Sequence, residues 1–217
     1  EIGVRLVGSE MCIRDSFYLR CCQQLCRVGK TVNMRVVGGI SRGRKLAPPA
    51  ISGARPTSAL VRGAVFNVLG HENVNGKRIV DLYAGVGSLG IEGLSRGAIW
   101  VDFVEKDPKQ CAVIRANLRS TGLDGHSRVY CMKTEKALEV LKGSYNLVLM
   151  DPPYKMKDLA PVLKVIGETK ILEADGMVVV GHSKHSNLND TYGNLSRFDS
   201  RRYGDSVVEF FQGTEIV

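Results

Sequence analysis

Residues 78–94, RIVDLYAGVGSLGIEGL, contain the pattern that decides the fold of this chain. An apolar run, a glycine-rich stretch and a second apolar run predict a short strand, a tight turn and a helix. Gly85, Gly87 and Gly90 have the spacing G-x-G-x-x-G, in which glycine lets the backbone approach a ligand closely. A strand-to-helix turn without any ligand is the alternative.

Asp81 lies just before this turn and indicates which ligand the turn binds. A carboxylate at this place would repel a pyrophosphate, but it can pair with the ammonium group of an amino-acid moiety. The position of Asp81 therefore favours S-adenosylmethionine over a dinucleotide as the ligand.

A second acid, Glu105, directly follows the next predicted strand, residues 99–104. It comes 24 positions after Asp81. In doubly wound sheets an acid about 20 residues beyond the glycine turn hydrogen-bonds the ribose hydroxyls. We therefore predict that Glu105 binds the ribose of the same ligand, with a solvated strand end as the alternative. Asp107 and Pro108 are typical of the first residues of a helix.

The sequence DPPY at residues 151–154 directly follows an apolar run, residues 145–150, that is typical of a buried parallel strand. Each proline restricts φ and lacks an N–H group, so the loop is rigid and its carbonyl groups point outward. A carboxylate or carbonyl acceptor beside the ring of Tyr154 suits a planar base that is held by its exocyclic amino group. A turn that simply ends the strand is the alternative.

Strands and helices alternate along most of the chain, which predicts parallel strands joined by crossover helices. The tail differs, because Gly204-Asp205 separates two runs in the manner of a hairpin. We predict an α/β, Rossmann-like class I methyltransferase fold, with a seven-stranded, mostly parallel sheet and an antiparallel C-terminal hairpin strand beside the fifth strand. The predicted strands are 34–40, 43–47, 78–82, 99–104, 127–131, 145–150, 176–180, 196–203 and 206–211. The predicted helices are one capped by Thr57 or Ser58 that ends near Leu69, then 88–96, 108–121, 134–142 and 158–169.

Three acids coincide with the ends of predicted strands. Sheets of this kind bind their ligands at the carboxyl ends of the strands. Asp81, Glu105 and Asp151 each lie at such an end. We therefore expect their carboxylates to line one edge of the sheet around a shared cleft.

The chain of 217 residues has a formal net charge of +8, and an excess of positive charge favours a polyanionic partner. Six basic residues fall within 28 positions before the glycine turn, which predicts that this segment contacts nucleic acid. A solvated basic face is the alternative. The six are Arg35, Arg42, Arg44, Lys45, Arg55 and Arg62.

Residues 1–33 differ from the rest of the chain. They hold four of the six cysteines, and residues 7–16 look like a translated sequencing adapter. We expect residues 1–33 to be a non-native or disordered leader and Met34 to be the native start. Cys111 and Cys131 then remain, which suits a reducing cytoplasm.

Two kinds of site are not expected from this sequence. No apolar run approaches the roughly 18 residues that a membrane-spanning helix needs. The four histidines have no metal-ligand spacing, so no metal is expected in the reaction.

From Met34 onward, several motifs occur in an order that resembles a known family. They are the basic stretch RGRKL at 42–46, the RPT segment at 55–57, the glycine turn and the Asp151 loop. The chain resembles the bacterial ribosomal RNA methyltransferases that modify the exocyclic amino group (N2) of one guanine in small-subunit RNA, over roughly residues 34–217. The first two motifs discriminate, because many amino-directed methyltransferases share D-P-P-Y.

Two positions depart from the pattern of this family. Its members usually carry Glu after the arginine that corresponds to Arg62, whereas this chain has Gly63. The strand after Arg128 usually ends with an acid near the adenine, whereas residues 132–134 are Met-Lys-Thr. The residues that contact adenine therefore stay unassigned.

The resemblance implies an enzyme that uses S-adenosylmethionine and acts on ribosomal RNA or a small-subunit assembly particle, as a cytoplasmic monomer. It divides the chain into the leader 1–33, a basic RNA-contacting segment of strands and a helix, 34–70, and a methyltransferase domain, 71–217. The catalytic residues implied are Asp151, Pro152, Pro153 and Tyr154. The cofactor-binding residues implied are Asp81, Tyr83, Ala84, Gly85, Gly87, Glu105 and Lys106, and the RNA-binding residues are Arg35, Arg42, Arg44, Lys45, Arg55, Thr57 and Arg62.

Other functions stay open at this point. D-P-P-Y does not identify the acceptor, which could be an adenine in DNA or RNA or a protein glutamine. A non-catalytic RNA-binding assembly factor could keep the same fold. A nicotinamide oxidoreductase fits poorly, because Asp81 precedes the glycines and D-P-P-Y would have no role.

Overall fold

Five parallel strands form the centre of the protein, in the order β3-β2-β1-β4-β5. β1 pairs with β2 on one side and with β4 on the other, so the carboxyl ends of these three strands lie side by side at one edge. The strands are β1 Arg78–Leu82, β2 Trp100–Glu105, β3 Ser127–Cys131, β4 Tyr145–Met150 and β5 Leu172–Ser183.

The computed structural model describes residues 34–51, 57–154, 156 and 158–214, all within one compact unit. The predictions for the leader 1–33 and for Arg55 lie outside the described residues. No helix in these ranges is both long enough and apolar enough to cross a membrane.

Helices cover both faces of the sheet. Successive strand residues point to opposite faces, so Ile79 belongs to the apolar core on one side and Val80 to the core on the other. Both faces are therefore buried, which explains the nearly continuous apolar runs of the central strands. The first face packs against α1 Ala59–Leu69, α2 Ser88–Ser95 and α3 Pro108–Thr121, and the second against α4 Thr134–Val140 and α5 Ala160–Glu168.

The ends of α3 show how local sequence sets these elements. The Asp107 side chain accepts hydrogen bonds from the backbone N–H groups of Lys109 and Gln110, and Pro108 occupies the first turn. Gly122 ends the helix in the left-handed conformation, with φ of 71°. The predicted helix 108–121 is therefore confirmed.

Three antiparallel strands extend the sheet beyond β5. They are β6 Thr191–Tyr192, β7 Leu195–Tyr203 and β8 Ser206–Gly213, and the order continues β5-β8-β7-β6. Gly204 lies in the turn between β7 and β8 with φ of +63°. The predicted fold class is confirmed, including the last strand beside the fifth, and the two-residue β6 adds an eighth strand.

The predicted strands 34–40 and 43–47 are wrong. The two segments are joined by one isolated antiparallel bridge, Arg35 with Lys45, and by backbone hydrogen bonds such as that from the Leu46 N–H to the Met34 carbonyl at 2.8 Å, but neither segment extends into a strand. The turn between them is bound to the end of α2: the Ile40 N–H donates to the Ser95 carbonyl at 2.8 Å and the Ser41 N–H donates to Ser95 Oγ at 2.9 Å. α2 therefore satisfies backbone N–H groups of this turn that no neighbouring strand could bind.

Candidate active site at the carboxyl edge of the sheet

The glycine turn connects β1 to α2 through a backbone that requires small residues. Gly87 immediately precedes α2 with φ of 78°, a conformation that favours glycine. Gly90, inside α2, faces β2 so closely that a Cβ atom would lie 2.4 Å from Phe103 Cε1. The turn can therefore begin a helix directly beside the sheet, with its backbone at the edge where β1 ends.

Asp81 is buried at the end of β1, with 1% of its surface exposed. Its Oδ2 accepts a hydrogen bond from the Gly90 N–H at 2.8 Å. Burial raises the pKa of Asp81 to about 8; the Gly90 N–H opposes this rise, and the charges of Asp151 and Glu105 add to it. A buried acid near two other acids is a place where a bound cation is stabilised.

Glu105 joins two loops at the same edge. Its Oε2 accepts from the Gly85 N–H at 2.9 Å, and its Oε1 accepts from the Asp107 N–H at 2.9 Å. Each carboxylate oxygen can accept a second hydrogen bond, so this arrangement leaves acceptor capacity for ligand hydroxyls. The ribose contact of Glu105 stays a prediction.

A cavity of about 60 Å³, the glycine-turn cavity, lies over this turn. Four of the predicted cofactor residues line it, which are Asp81, Tyr83, Ala84 and Gly85. The other three predicted cofactor residues, Gly87, Glu105 and Lys106, do not form part of the lining. The other lining residues are Pro49, Thr57, Val86, Leu89, Gln110 and Asp151.

The D-P-P-Y loop leaves the sheet where β4 ends. Pro152 is buried, whereas Pro153 and Tyr154 are exposed. The Pro153 carbonyl accepts from the Met156 N–H at 2.8 Å, so this carbonyl serves the loop itself. The Tyr154 hydroxyl is hydrogen-bonded to Ser206 Oγ, which ties the loop to β8.

The Asp151 carboxylate is held from two sides. Thr57 Oγ1 donates a hydrogen bond to Asp151 Oδ2. On the other side β5 approaches so closely that a Cβ atom on Gly181 would lie 2.9 Å from Asp151 Oδ1. Burial raises the pKa of Asp151, and the hydrogen bond from Thr57 opposes this rise.

A second cavity of about 80 Å³, the proline-loop cavity, lies on the other side of Asp151. Asp151, Thr57 and Leu89 line both cavities, so the two adjoin at these residues. Asp81 and Asp151 therefore line adjoining cavities at the predicted edge, whereas Glu105 lies at the same edge, bonded to the Gly85 N–H, outside the lining of both. The remaining lining is mostly apolar: Ser58, Val61, Val65, Met150, Tyr154, Val179, Gly181, Tyr203, Ser206 and Val208.

Four residues of the predicted RNA-binding set are exposed, namely Arg35, Arg42, Arg44 and Lys45. Arg44 Nη1 donates to the Ser120 carbonyl at 3.0 Å, near the end of α3. The turn that carries Arg42, Arg44 and Lys45, the basic turn, is thus attached to the ends of α2 and α3 that point away from the cavities. The RNA contact of these four residues stays a prediction.

The predicted RNA contact of Arg62 is wrong, because its side chain is completely buried. Arg62 Nη1 donates to the Thr57 carbonyl at 3.1 Å and Nη2 to the Arg35 carbonyl at 2.6 Å. Its Nε lies 3.9 Å from Glu92 Oε2. Burial lowers the pKa of Arg62, and the Glu92 carboxylate opposes this fall.

Sequence reasoning missed two residues that shape this site. Glu92 supplies the acid beside Arg62 that Gly63 cannot supply, yet it lies 30 positions further along the chain. Gly181 permits the close approach of β5 to Asp151. Neither role has a local sequence signal, since each depends on which elements pack together.

Comparisons with known proteins agree with this geometry. A model of the family described as Conserved hypothetical protein 95 matches residues 34–212. The chain is 36% identical to YlbH of Bacillus subtilis strain 168, which is named as a candidate rRNA methyltransferase, over 82% of this chain and 98% of that protein. It is 29% identical to Ribosomal RNA small subunit methyltransferase D of Escherichia coli K12, over 82% of this chain and 89% of that protein.

A solved structure has the same fold. It is named as a candidate methyltransferase, YhhF, from Escherichia coli, with a TM-score of 0.74 and 26% identity. The match covers 83% of this chain and 98% of that one. Since the family model spans most of the sequence and YlbH matches at 36% identity, the chain belongs to the family Conserved hypothetical protein 95.

Proposed function

We propose that this protein transfers a methyl group from S-adenosylmethionine to the exocyclic amino group (N2) of a guanine in small-subunit ribosomal RNA. The observation that carries the proposal is the junction of two cavities at Asp151, with an acidic glycine turn on one side and a pocket that contains valine and tyrosine side chains on the other. The names of the Escherichia coli and Bacillus subtilis relatives support the RNA substrate.

The glycine-turn cavity suits S-adenosylmethionine because its acid is buried. Asp81 would hold the ammonium group of the methionine part, since a cation compensates a carboxylate whose pKa is raised to about 8 by burial. Glu105 would accept from the ribose hydroxyls. When bound, the cofactor supplies an electrophilic methyl group.

The proline-loop cavity suits a planar base. The lone pair of an aromatic amine is delocalised into the ring, so the nitrogen is a poor nucleophile until its N–H groups are bound. Asp151 and the Pro152 carbonyl would accept these two N–H groups and turn the lone pair towards the other cavity. Thr57 donates to Asp151 Oδ2, and the carboxylate keeps further acceptor capacity for the amine.

Tyr154 and the apolar walls would position the base itself. Stacking of a base on an aromatic ring contributes about 1–3 kcal/mol. The Tyr154 ring is 42% exposed and lines the cavity beside Val61 and Val65, so a base can reach it. A base in a duplex cannot, so the guanine would be unpaired or flipped out.

The exposed basic residues Arg35, Arg42, Arg44 and Lys45 would bind phosphates of the surrounding RNA. Phosphate contacts set the register of the RNA and supply affinity that depends on salt. A ribosomal RNA substrate, whether bare or in an assembling particle, implies that the protein works in the cytoplasm.

Labelled methyl transfer tests the proposal. The purified protein is incubated with methyl-labelled S-adenosylmethionine and small-subunit particles from a strain that lacks the protein, with DNA and bulk protein as parallel acceptors. We expect label in the RNA alone, in N2-methylguanosine after nucleoside digestion, and none with Asp151→Ala. Label in adenosine, DNA or glutamine would mean that the acceptor is not a guanine of the ribosomal RNA. Failure to bind S-adenosylmethionine in calorimetry would indicate a non-catalytic factor.

A further inference from the structure

Thr57 occupies the boundary between the two cavities. It is one of the three residues that line both, and its hydroxyl donates to Asp151 Oδ2. The sequence assigns it to RNA binding, but its hydroxyl is directed at the carboxylate. A hydrogen bond to a charged acceptor is among the stronger ones, and it restricts the orientation of that acceptor.

The position of Thr57 is set by its neighbours. Ser58 caps α1, since its side chain accepts from the Val61 N–H at 3.2 Å, so the Thr57 hydroxyl is not needed as a cap. The Thr57 carbonyl accepts from Arg62 Nη1 at 3.1 Å. The Thr57 carbonyl is therefore held, and its side chain is available to Asp151.

The buried Arg62 that holds Thr57 is itself anchored. Its partner Glu92 accepts from the N–H groups of Val37 at 2.8 Å and Gly38 at 2.7 Å, and from Arg96 Nε at 2.8 Å. The pair thus joins α1, α2 and the N-terminal segment. Breaking a buried pair from one side leaves an uncompensated charge, so this frame resists movement.

We propose that Thr57 is a positioning residue for methyl transfer: its hydroxyl orients the Asp151 carboxylate towards the amine in the proline-loop cavity. The inference rests on the proposed function. The same hydrogen bond favours the ionised form of Asp151. Only in that form can both oxygens of Asp151 accept an N–H group. Gly181 lies close to the carboxylate on the opposite side and restricts its movement there. Without the Thr57 bond, the carboxylate could rotate on the side that Thr57 now fixes.

Other titratable groups around Asp151 are few in the described residues. Those that line the two cavities are Asp81 from β1, Tyr83 after it, Tyr154 on the same loop and Tyr203 from β7. Asp81 is the acid whose charge interacts with that of Asp151. Because Asp81→Asn and Thr57→Val remove different groups, their effects on a pH profile are separable.

The test compares Thr57→Val, which keeps the shape and removes the donor, with Thr57→Ser, which keeps the donor. We expect Thr57→Val to lower kcat roughly 10- to 100-fold, the effect of losing a hydrogen bond to a charged group. The acidic limb of its kcat–pH profile should move to higher pH, because Asp151 becomes harder to ionise. Thr57→Ser should restore both, with the cofactor Kd and the RNA KM close to wild type in each variant.

A carbon NMR titration of the Asp151 carboxyl group gives a readout that needs no substrate. Thr57→Val should raise its pKa relative to wild type and Thr57→Ser should not, with a thermal melt to verify folding. An unchanged kcat and an unchanged acidic limb of the kcat–pH profile in Thr57→Val would overturn the inference. Equal losses of kcat in Thr57→Val and Thr57→Ser would also overturn it, as would a change in the RNA KM alone. A shifted Asp151 titration without any RNA methylation by the wild type would overturn only the proposed function.

Discussion

The glycine-turn cavity and the proline-loop cavity adjoin, yet they are built in different ways. Most of the first comes from one continuous stretch between β1 and α2, residues 81–89. The second is assembled from α1, β4, β5 and the β7–β8 hairpin, which are far apart in the chain. A ligand site made from local backbone is visible in a sequence, whereas a site made from packed elements is not.

The two cavities also use different chemistry. The first offers a buried acid and glycine backbone, which suit a charged cofactor. The second offers four valine and two tyrosine side chains, which suit a flat base. Substitutions should therefore separate cofactor binding from turnover, except at the shared boundary.

The largest effect is expected at that boundary, from Asp151→Asn. The substitution keeps the size of the side chain and removes its charge, so turnover should fall about 100- to 1000-fold, as for the loss of a preorganised electrostatic contact. Single-turnover kinetics and calorimetry should show the loss in the chemical step, with the cofactor Kd changed only a few-fold. Asp158→Asn, in an exposed acid beyond the same loop, is the matched control. Equal loss of cofactor binding in Asp151→Asn would mean that the two cavities do not act separately.

Asp81→Asn should mainly weaken cofactor binding, raising the Kd roughly 10- to 100-fold, because a charge-assisted contact is lost. Below pH 8 Asp81 is largely protonated in the unliganded protein, since its pKa is about 8. Pairing with a cation favours the carboxylate, so binding should release close to one proton at pH 7 and none above about pH 9. Calorimetry at pH 7 in two buffers of different ionisation enthalpy measures this release, which Asp81→Asn should abolish.

The same pKa predicts the stability of the unliganded protein. The folded pKa of about 8 lies above the ordinary 3.8, so folding favours the protonated acid and ionisation opposes it. The contribution of Asp81 is therefore present at low pH and is lost as the pH rises from about 4 to 8. Thermal melts across this range should show a smaller decline in Asp81→Asn, and an identical decline would contradict the raised pKa.

Tyr154 tests the other cavity, with a smaller effect. Tyr154→Ala should lower kcat/KM for RNA about 5- to 100-fold, since stacking on the ring is lost. Tyr154→Phe keeps the ring and loses only the bond to Ser206, so it should stay within a few-fold of wild type. Ser206→Ala controls for that bond. Equal loss in Tyr154→Phe and Tyr154→Ala would assign the role to the hydroxyl.

The smallest effect on the chemical step is expected from the basic turn. Replacing Arg42, Arg44 and Lys45 together by Gln should weaken RNA binding and reduce the slope of log K against log salt by up to about 2. Single-turnover rates at saturating RNA should not change, because these residues lie away from both cavities. An unchanged salt slope would place the RNA surface elsewhere.

Local signals explain how much of the molecule could be predicted. The strands β1 and β4 and the helix α3 match their predicted bounds, because apolar runs and the Asp107-Pro108 start are properties of neighbouring residues. The hairpin around Gly204 could be predicted for the same reason, because its turn is also a property of neighbouring residues. The same locality allowed the three acids to be placed on one edge.

Long-range contacts explain what could not be predicted. The basic cluster predicted an RNA contact for Arg62, but that side chain is buried and pairs with Glu92. The segment from Met34 has the composition of strands, but its turn donates hydrogen bonds to Ser95 in α2. The RPT motif suggested RNA binding for Thr57, and only the structure places its hydroxyl on Asp151.

The buried pair of Arg62 and Glu92 has a consequence for engineering this enzyme. The N-terminal segment is not independent of the rest of the structure, because Glu92 in α2 accepts hydrogen bonds from the backbone of Val37 and Gly38. A chimera that takes residues 34–70 from another family member would place a foreign helix against Glu92. Without an arginine at the place of Arg62, Glu92 would lose its fully buried partner and keep only the ion pair with Arg96, so we expect such a chimera to be less stable. A substitution of Arg62 or Glu92 should therefore disturb both the N-terminal segment and the helix that begins at the glycine turn.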